Sequence, residues 1–258
     1  MTENVSSIQK KKVYAPSKYR MGLPSSACPG CGSPIACNII MDSLEELGVI
    51  ENSIVVIGVG CTGMGFFGTK VDMTFCAHGP APSVAAGIKS GRFDESIVFT
   101  IQGDGDCAAI GAGYLVNSAV RGDKITIIMC NNATYGTTGG QMAPTSLIGQ
   151  VTTTTPEGRV GAKQGYPLHV PEMIAPMKGV AYSARGSVNT FANYQRTKKY
   201  IKKAFQKQID GVGLGFVEVL TPCPVNLHMT PTDAMNWIGE KMIPEYPLGE
   251  FKNVDVIE

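Results

Sequence analysis

The sequence predicts an α/β fold: a parallel sheet covered by helices on both faces, with a long functional loop and a C-terminal arm. Three observations point that way. Short Val/Ile-rich runs alternate with helix-like segments, as crossover connections between parallel strands require. An acidic glycine turn, Gly103-Asp104-Gly105, follows directly on the run at 97–101, and an asparagine pair, Asn131-Asn132, ends the next run, 125–130. Cys61 and Cys223 each follow a further run. The chemistry-bearing residues thus collect at the C-terminal ends of strands, the edge where open α/β sheets bind ligands.

Composition narrows the functions open to the chain. Its 258 residues suffice to bury a core. The formal charge is +1, from 22 basic and 21 acidic residues, so neither nucleic acid nor an anionic membrane is indicated as a partner. No apolar run reaches the length of a membrane-spanning helix. The first twenty residues carry Lys10, Lys11, Lys12, Lys18 and Arg20 without an apolar stretch, unlike a secretory signal. Residues 1–21 are expected as an N-terminal arm, 22–225 as the ligand-binding domain and 226–258 as a C-terminal arm packing on this or another subunit. The expected compartment is the cytoplasm, where eight cysteines serve metal chemistry or plain burial rather than disulfides.

In chain order, Pro34 opens a helix that runs to residue 47, with Ser33 as its N-cap. A strand at 54–59 leads into Cys61-Thr62-Gly63. A loop of Gly, Met and Phe reaches His78-Gly79-Pro80, and a second helix covers about 83–90. The strand at 97–101, a helix from about 107 to 121 and the strand at 125–130 come next. Residues 133–167 form a loop rich in Gly, Thr and Pro, and a loop that long in a compact domain is usually functional. A strand at 180–184, a basic amphipathic helix at 190–209 and a strand at 216–220 complete the sheet. The tail beyond 226, with the single Trp237, reads as too irregular to join it.

Glycines at the central turn let backbone approach a diphosphate, and the helix start that follows presents free N–H groups. Asp104 would repel phosphates unless a cation lay between them. With the side-chain oxygen of Asn132 it offers hard ligands of the kind Mg²⁺ takes beside phosphate oxygens. Gly-Asp-Gly alone is a turn signal; its place between two strands, with the Asn pair at the next strand end, makes it a site. Cys28-Pro29-Gly30-Cys31 by itself reads as half a zinc knuckle, a redox pair or half an iron–sulfur site. Cys61 and Cys223 would bring four thiolates to the same edge. Cys37, Cys76, Cys107 and Cys130 read as buried small hydrophobes.

Gly-Asp-Gly followed by Asn-Asn at this distance resembles the thiamine diphosphate motif. Its continuation, Tyr135-Gly136-Thr137-Thr138-Gly139-Gly140-Gln141, is similar to the β subunit of 2-oxoacid:ferredoxin oxidoreductases. The resemblance spans roughly residues 26–224. It implies thiamine diphosphate held through Mg²⁺ by Asp104, Asn132 and the backbone carbonyl of Thr134, with Gly103, Gly105, Asp106, Gly136, Thr137 and Thr138 along the diphosphate. It implies one [4Fe–4S] cluster on Cys28, Cys31, Cys61 and Cys223. His78 is open between an active-site polar group and a structural hydrogen-bonding residue, and Asp106 between lining the diphosphate and a surface or capping carboxylate. Pro80 stands where many relatives carry an Arg, so that contact is not carried over.

The activity this resemblance implies is coenzyme A-dependent oxidative decarboxylation of a 2-oxoacid, with electrons passing through the cluster to ferredoxin. The loop at 141–145 and 152–159 looks closest to subunits for 2-oxoglutarate or branched-chain 2-oxoacids, including 2-oxoisovalerate. Arg159 is open between a substrate's distal carboxylate, a phosphate and a partner. In this family the Glu that serves the pyrimidine end belongs to an α subunit, and no second sheet is evident here to supply it; γ and δ ferredoxin-like subunits are further expected partners. The competing readings are a non-oxidative thiamine diphosphate-dependent decarboxylase or carboligase with structural cysteines, and a zinc-stabilised binding module.

Overall fold

A computed structural model describes residues 15, 17–23, 26–91 and 95–257. Most of the expected N-terminal arm, Lys10, Lys11 and Lys12 included, lies outside the described residues. Among these residues one sheet holds β1 (Ser53–Ile57), β2 (Asp72–Phe75), β3 (Ile97–Gly103), β4 (Thr126–Asn131), β5 (Val180–Ser187), β6 (Leu214–Leu220) and β7 (Gly249–Asn253). Their spatial order is β2-β1-β3-β4-β6-β5-β7. Every neighbouring pair is parallel except β5–β7, which is antiparallel.

The five runs expected as strands are all present. The sequence reading missed β2 and β7, and it wrongly left the C-terminal tail outside the sheet. Both are edge strands of mixed polarity, Asp-Met-Thr-Phe and Gly-Glu-Phe-Lys-Asn, without the apolar run that marks a strand buried on two sides.

The central strands bury both faces, so successive side chains feed two cores. Along β4, Ile127 and Met129 enter one cluster, Ile128 and Cys130 the other. The helices, in chain order, begin with α1 (Ser33–Glu46), α2 (Ala81–Gly91), α3 (Ala112–Arg121), α4 (Gly161–Gln164), α5 (Val170–Ile174) and α6 (Phe191–Ile209). α1 and α6 cover one face, where the rings of Phe99 and Phe205 meet edge-on at 5.4 Å. α2, α3 and α5 cover the other. The N-cap of α1 is Gly32 rather than Ser33. A side chain there would collide with Pro222, and the Gly32 amide donates to the Pro222 carbonyl at 3.2 Å. The Cys28–Cys31 turn is therefore packed against the segment that carries Cys223.

After β6 the chain forms α7 (Pro224–Leu227), α8 (Pro231–Trp237), a π-helical turn at Ile238–Met242 and α9 (Ile243–Glu245). Ile238, Met242 and Tyr246 bury against Ala133, Leu147 and Leu220 in a third cluster. The C-terminal segment thus packs on this chain's own long loop. The order of strands sets the site: the chain leaves β1 for β2 on one side and crosses back to β3 on the other. A crevice opens at such a switch point, between the C-terminal ends of β1 and β3.

Candidate active site

A cavity of about 360 Å³ occupies that crevice. Its walls include His78, Gly103, Asp104, Gly105, Asp106, Asn132, Thr134, Gly136, Thr137 and Thr138, together with Cys61. Residues singled out from four separate stretches of sequence therefore line one space. Tyr135, Val59 and Ile110 line it as well. Tyr135 was quoted in the motif without a role. A Cβ on Gly105 would stand 2.1 Å from its ring, so the glycine is what lets the tyrosine lie on the turn.

β3 runs into the turn, and the expected helix at 107–121 begins instead as a π-helical turn, Asp106–Ile110, before α3. The Gly111 amide donates to the Asp106 carbonyl at 3.0 Å, and a Cβ on Gly111 would sit 2.2 Å from that oxygen. Such bulges recur at functional sites because they re-aim side chains. Here Asp106 is turned inward and buried, which overturns its reading as a surface carboxylate. It accepts from the Gly79 amide at 2.6 Å and from Gln102 Nε2 at 2.8 Å, and its Oδ1 lies 3.2 Å from His78 Nδ1. Burial pushes the Asp106 carboxyl above its ordinary range, against those donors and His78. His78 Nδ1 also lies 3.2 Å from the Val59 carbonyl, so two acceptors share this one ring nitrogen at the cavity wall.

Asp104 is also buried. Thr145 donates a short hydrogen bond to its Oδ2. Burial pushes this carboxyl up to about 7, with the Thr145 hydroxyl and backbone amides pulling the other way. The nearby Glu218 charge adds to that rise, and among the described residues no Lys, Arg or His side chain is bonded to the carboxylate. Across the cavity, Asn132 Oδ1 accepts from the Thr134 amide at 3.2 Å. Between these two residues Ala133 adopts φ +59°, a left-handed conformation uncommon for a residue with a side chain. It is held there by three bonds. Its amide donates to Asn131 Oδ1 at 2.9 Å, and its carbonyl accepts from Ser146 Oγ at 2.6 Å and Gln150 Nε2 at 2.8 Å.

The sequence reading missed the buried network behind this loop. Asn131 Nδ2 donates to Glu218 Oε1 at 2.6 Å, and Arg185 Nε donates to Glu218 Oε2 at 2.5 Å. Arg185 then grips Glu172 with two bonds of 2.7 and 2.6 Å. The available signal was a charge inside each of two apolar strands, since buried charges occur where they are paired. Arg159 is corrected too. It is buried, and its guanidinium donates to the carbonyls of Pro144, Ser146, Gln164, Gly165 and Tyr166. With its N–H groups spent on backbone it ties the long loop together and has no free donor for a substrate or partner.

The cysteines divide as expected for three of the four hydrophobes: Cys37, Cys107 and Cys130 are buried, whereas Cys76 is partly exposed. Of the other four, Cys28 is exposed and Cys31, Cys61 and Cys223 are partly so. Burial pushes the Cys223 thiol up, and the nearby Cys31 and Cys61 add to it against donation from Asn226. Asn226 Nδ2 reaches both Cys223 Sγ, at 3.3 Å, and the Gly136 carbonyl, at 3.2 Å. Cys61 Sγ lies 2.9 Å from Thr137 Oγ1. Asn226 thus links Cys223 to the loop backbone next to Thr137, the residue that Cys61 meets at the cavity. Among the described residues no three His, Cys, Asp or Glu side chains close into a ready-made metal set. No helix among them is long and apolar enough to cross a membrane.

The C-terminal TPP binding domain of thiamine pyrophosphate enzymes matches residues 58–219. The chain is 38% identical over 226 residues to ketoisovalerate oxidoreductase subunit VorA of Methanothermobacter thermautotrophicus, covering 88% of this chain. It spans 47% of that relative's length, about half. It is 34% identical to 2-oxoglutarate synthase subunit KorB of Methanocaldococcus jannaschii, over 86% of this chain and 79% of that one. The fold matches a 2-oxoglutarate:ferredoxin oxidoreductase from Magnetococcus marinus with a TM-score of 0.74 at 22% identity, over 97% of this chain and 89% of that one. The chain belongs to the thiamine pyrophosphate-binding family and, within it, to the subunits of the 2-oxoacid:ferredoxin oxidoreductases.

Proposed function

We propose that this chain is the thiamine diphosphate- and cluster-binding subunit of an enzyme that oxidatively decarboxylates a 2-oxoacid with coenzyme A. Electrons would pass through a [4Fe–4S] cluster to ferredoxin. The observation that carries the reading is a shared wall: Cys61 touches Thr137 while both line the cavity above the Gly103–Asp106 turn. A candidate cluster ligand therefore abuts a candidate diphosphate ligand.

The residues fit the absent groups. Asp104 is a buried acid whose neighbours are neutral donors, so it suits Mg²⁺ together with Asn132 and the Thr134 carbonyl. Gly103, Gly105, Thr137 and Thr138 line the same cavity, where a diphosphate would meet them. Cys28, Cys31, Cys61 and Cys223 are the donor set for the cluster, soft thiolates of the kind iron–sulfur centres take. When bound, thiamine diphosphate supplies the nucleophilic carbon and the electron sink for decarboxylation, and a cluster beside it takes electrons singly. This chain's residues bind and orient. Asp106 fixes the His78 ring at the wall, Tyr135 covers the turn, and the held Ala133 presents Asn132 and Thr134 to the cation. The carboxylate for the pyrimidine end comes from a partner α subunit.

A branched-chain 2-oxoacid is the first choice of substrate. The ketoisovalerate relatives share 38 and 39% identity and the KorB relatives 31 to 34%. The fully engaged Arg159 also leaves this residue unable to read a second carboxylate. The test is anaerobic purification with the partner subunit, assay of iron, sulfide and thiamine diphosphate, and viologen reduction with 2-oxoisovalerate against 2-oxoglutarate. About four iron and four sulfide per chain are expected, with coenzyme A-dependent reduction. Iron-free protein that still binds thiamine diphosphate would support the non-oxidative enzyme, and zinc alone the binding module.

A further inference from the structure

The C-terminal segment reaches the cation site through one side chain. Tyr246 is fully buried, and its hydroxyl donates to the Thr145 carbonyl at 2.6 Å. Thr145, also fully buried, donates its hydroxyl to Asp104. The residues on either side of Thr145 are held differently: the Pro144 and Ser146 carbonyls accept from Arg159. Thr145 itself is held at its carbonyl by the tyrosine. The ring of the same tyrosine lies 5.2 Å from the Arg185 guanidinium carbon, at the head of the chain of bonds through Glu218 and Asn131 to Ala133. One phenol therefore bears on both walls of the site, Asp104 on one side and the Asn132–Thr134 loop on the other.

We infer that Tyr246 is a positioning residue for the cation site: by fixing Thr145 it aims that hydroxyl at Asp104 and sets the carboxylate's orientation. The inference rests on the reading of Asp104 as the cofactor's cation ligand. It adds that the C-terminal segment, which no motif marks, tunes the affinity of the site. Without the phenol hydroxyl the buried Thr145 carbonyl loses its partner. The Thr145 side chain is then free to leave Asp104, and among the described residues no second side chain donates to the carboxylate, which keeps only backbone amides.

The experiment uses the full-length protein in its purified assembly, with Mn²⁺ and thiamine diphosphate as the probe and the Mn²⁺ paramagnetic resonance spectrum as a readout independent of turnover. Tyr246→Phe should weaken Mn²⁺ binding about fivefold, the scale of one net hydrogen bond, and alter the spectrum. Thr145→Val should do the same without touching the tyrosine, and it carries the test if Tyr246→Phe does not fold. Thr145→Ser should restore wild-type binding. Tyr182→Phe is the control. It removes a 2.5 Å bond to Glu250 that likewise ties the C-terminal segment to the sheet but does not reach the cavity. It should lower thermal stability and leave Mn²⁺ affinity unchanged.

Wild-type affinity and spectrum in a folded Tyr246→Phe would overturn the inference alone, as would wild-type values in Thr145→Val or an equal affinity loss in Tyr182→Phe. A wild-type protein that binds no Mn²⁺ with thiamine diphosphate would overturn the reading of the site and the inference together.

Discussion

Glu218 on β6 and Asp104 just past β3 are both withdrawn from water, and among the described residues only Glu218 is paired with a cationic side chain. Glu218 accepts from Arg185 and Asn131, and Arg185 is itself closed off by Glu172, the Pro247 carbonyl and the rings of Tyr246 and Phe251. Asp104 meets a threonine hydroxyl and backbone amides. Burying a charge costs several kcal/mol unless an opposite charge and hydrogen bonds answer it. Around Glu218 the chain supplies that answer internally; around Asp104, on the function proposed above, it would leave it to a bound cation. Burial alone does not tell the two apart.

The sharpest way to break this contrast is to unbalance the closed network. Glu218→Gln leaves Arg185 short of one partner and should destabilise the fold by about 3–5 kcal/mol, read from the denaturation midpoint. Arg159→Met should follow, at about 2–3 kcal/mol, because buried carbonyls lose their donor. Asp104→Asn is expected to reverse the pattern. Stability of the cofactor-free protein should stay within about 1 kcal/mol of wild type or rise, since a penalised charge is gone. Cation-dependent binding of thiamine diphosphate should fall by more than about 100-fold, beyond the range of outer-shell changes. An Asp104→Asn variant that unfolds as readily as Glu218→Gln would erase the distinction.

The smallest effect is on pH. The Asp104 carboxyl is raised by burial to about 7 in the cofactor-free fold, from about 3.9 in an unfolded chain. Between those values the folded state binds the extra proton. This group's contribution to stability is therefore complete below about pH 4 and lost as pH rises through 7. On the proposed role of Asp104, cation binding would run the other way, because Mg²⁺ would have to displace that proton. Affinity should be flat above pH 7 and weaken by up to about tenfold per unit below it, as calorimetric titration at several pH values would show.

Much of the site was legible because its residues follow strand ends, and strand ends are readable from apolar runs. Gly103 to Asp106, Asn132, Thr134 to Thr138 and Cys61 fall in one cavity because parallel strands deliver their C-terminal ends to one edge. What escaped was either edge structure or long-range pairing. β2 and β7 lack the two-sided burial that makes a strand visible. Arg159 carried a charge that invited a substrate, yet its partners are carbonyls brought near by loop folding. The Arg185–Glu218–Asn131 connection joins three strands and has no local spacing to reveal it.

The amino-acid order by itself determined the sheet's central strands, the glycine turn and the chemical identity of the donors, since these depend on local periodicity and residue type. Tertiary structure alone decided which acid meets an arginine inside the fold and which meets only a hydroxyl and backbone amides among the described residues. That distinction depends on distance and burial between side chains far apart along the chain, which no local pattern encodes.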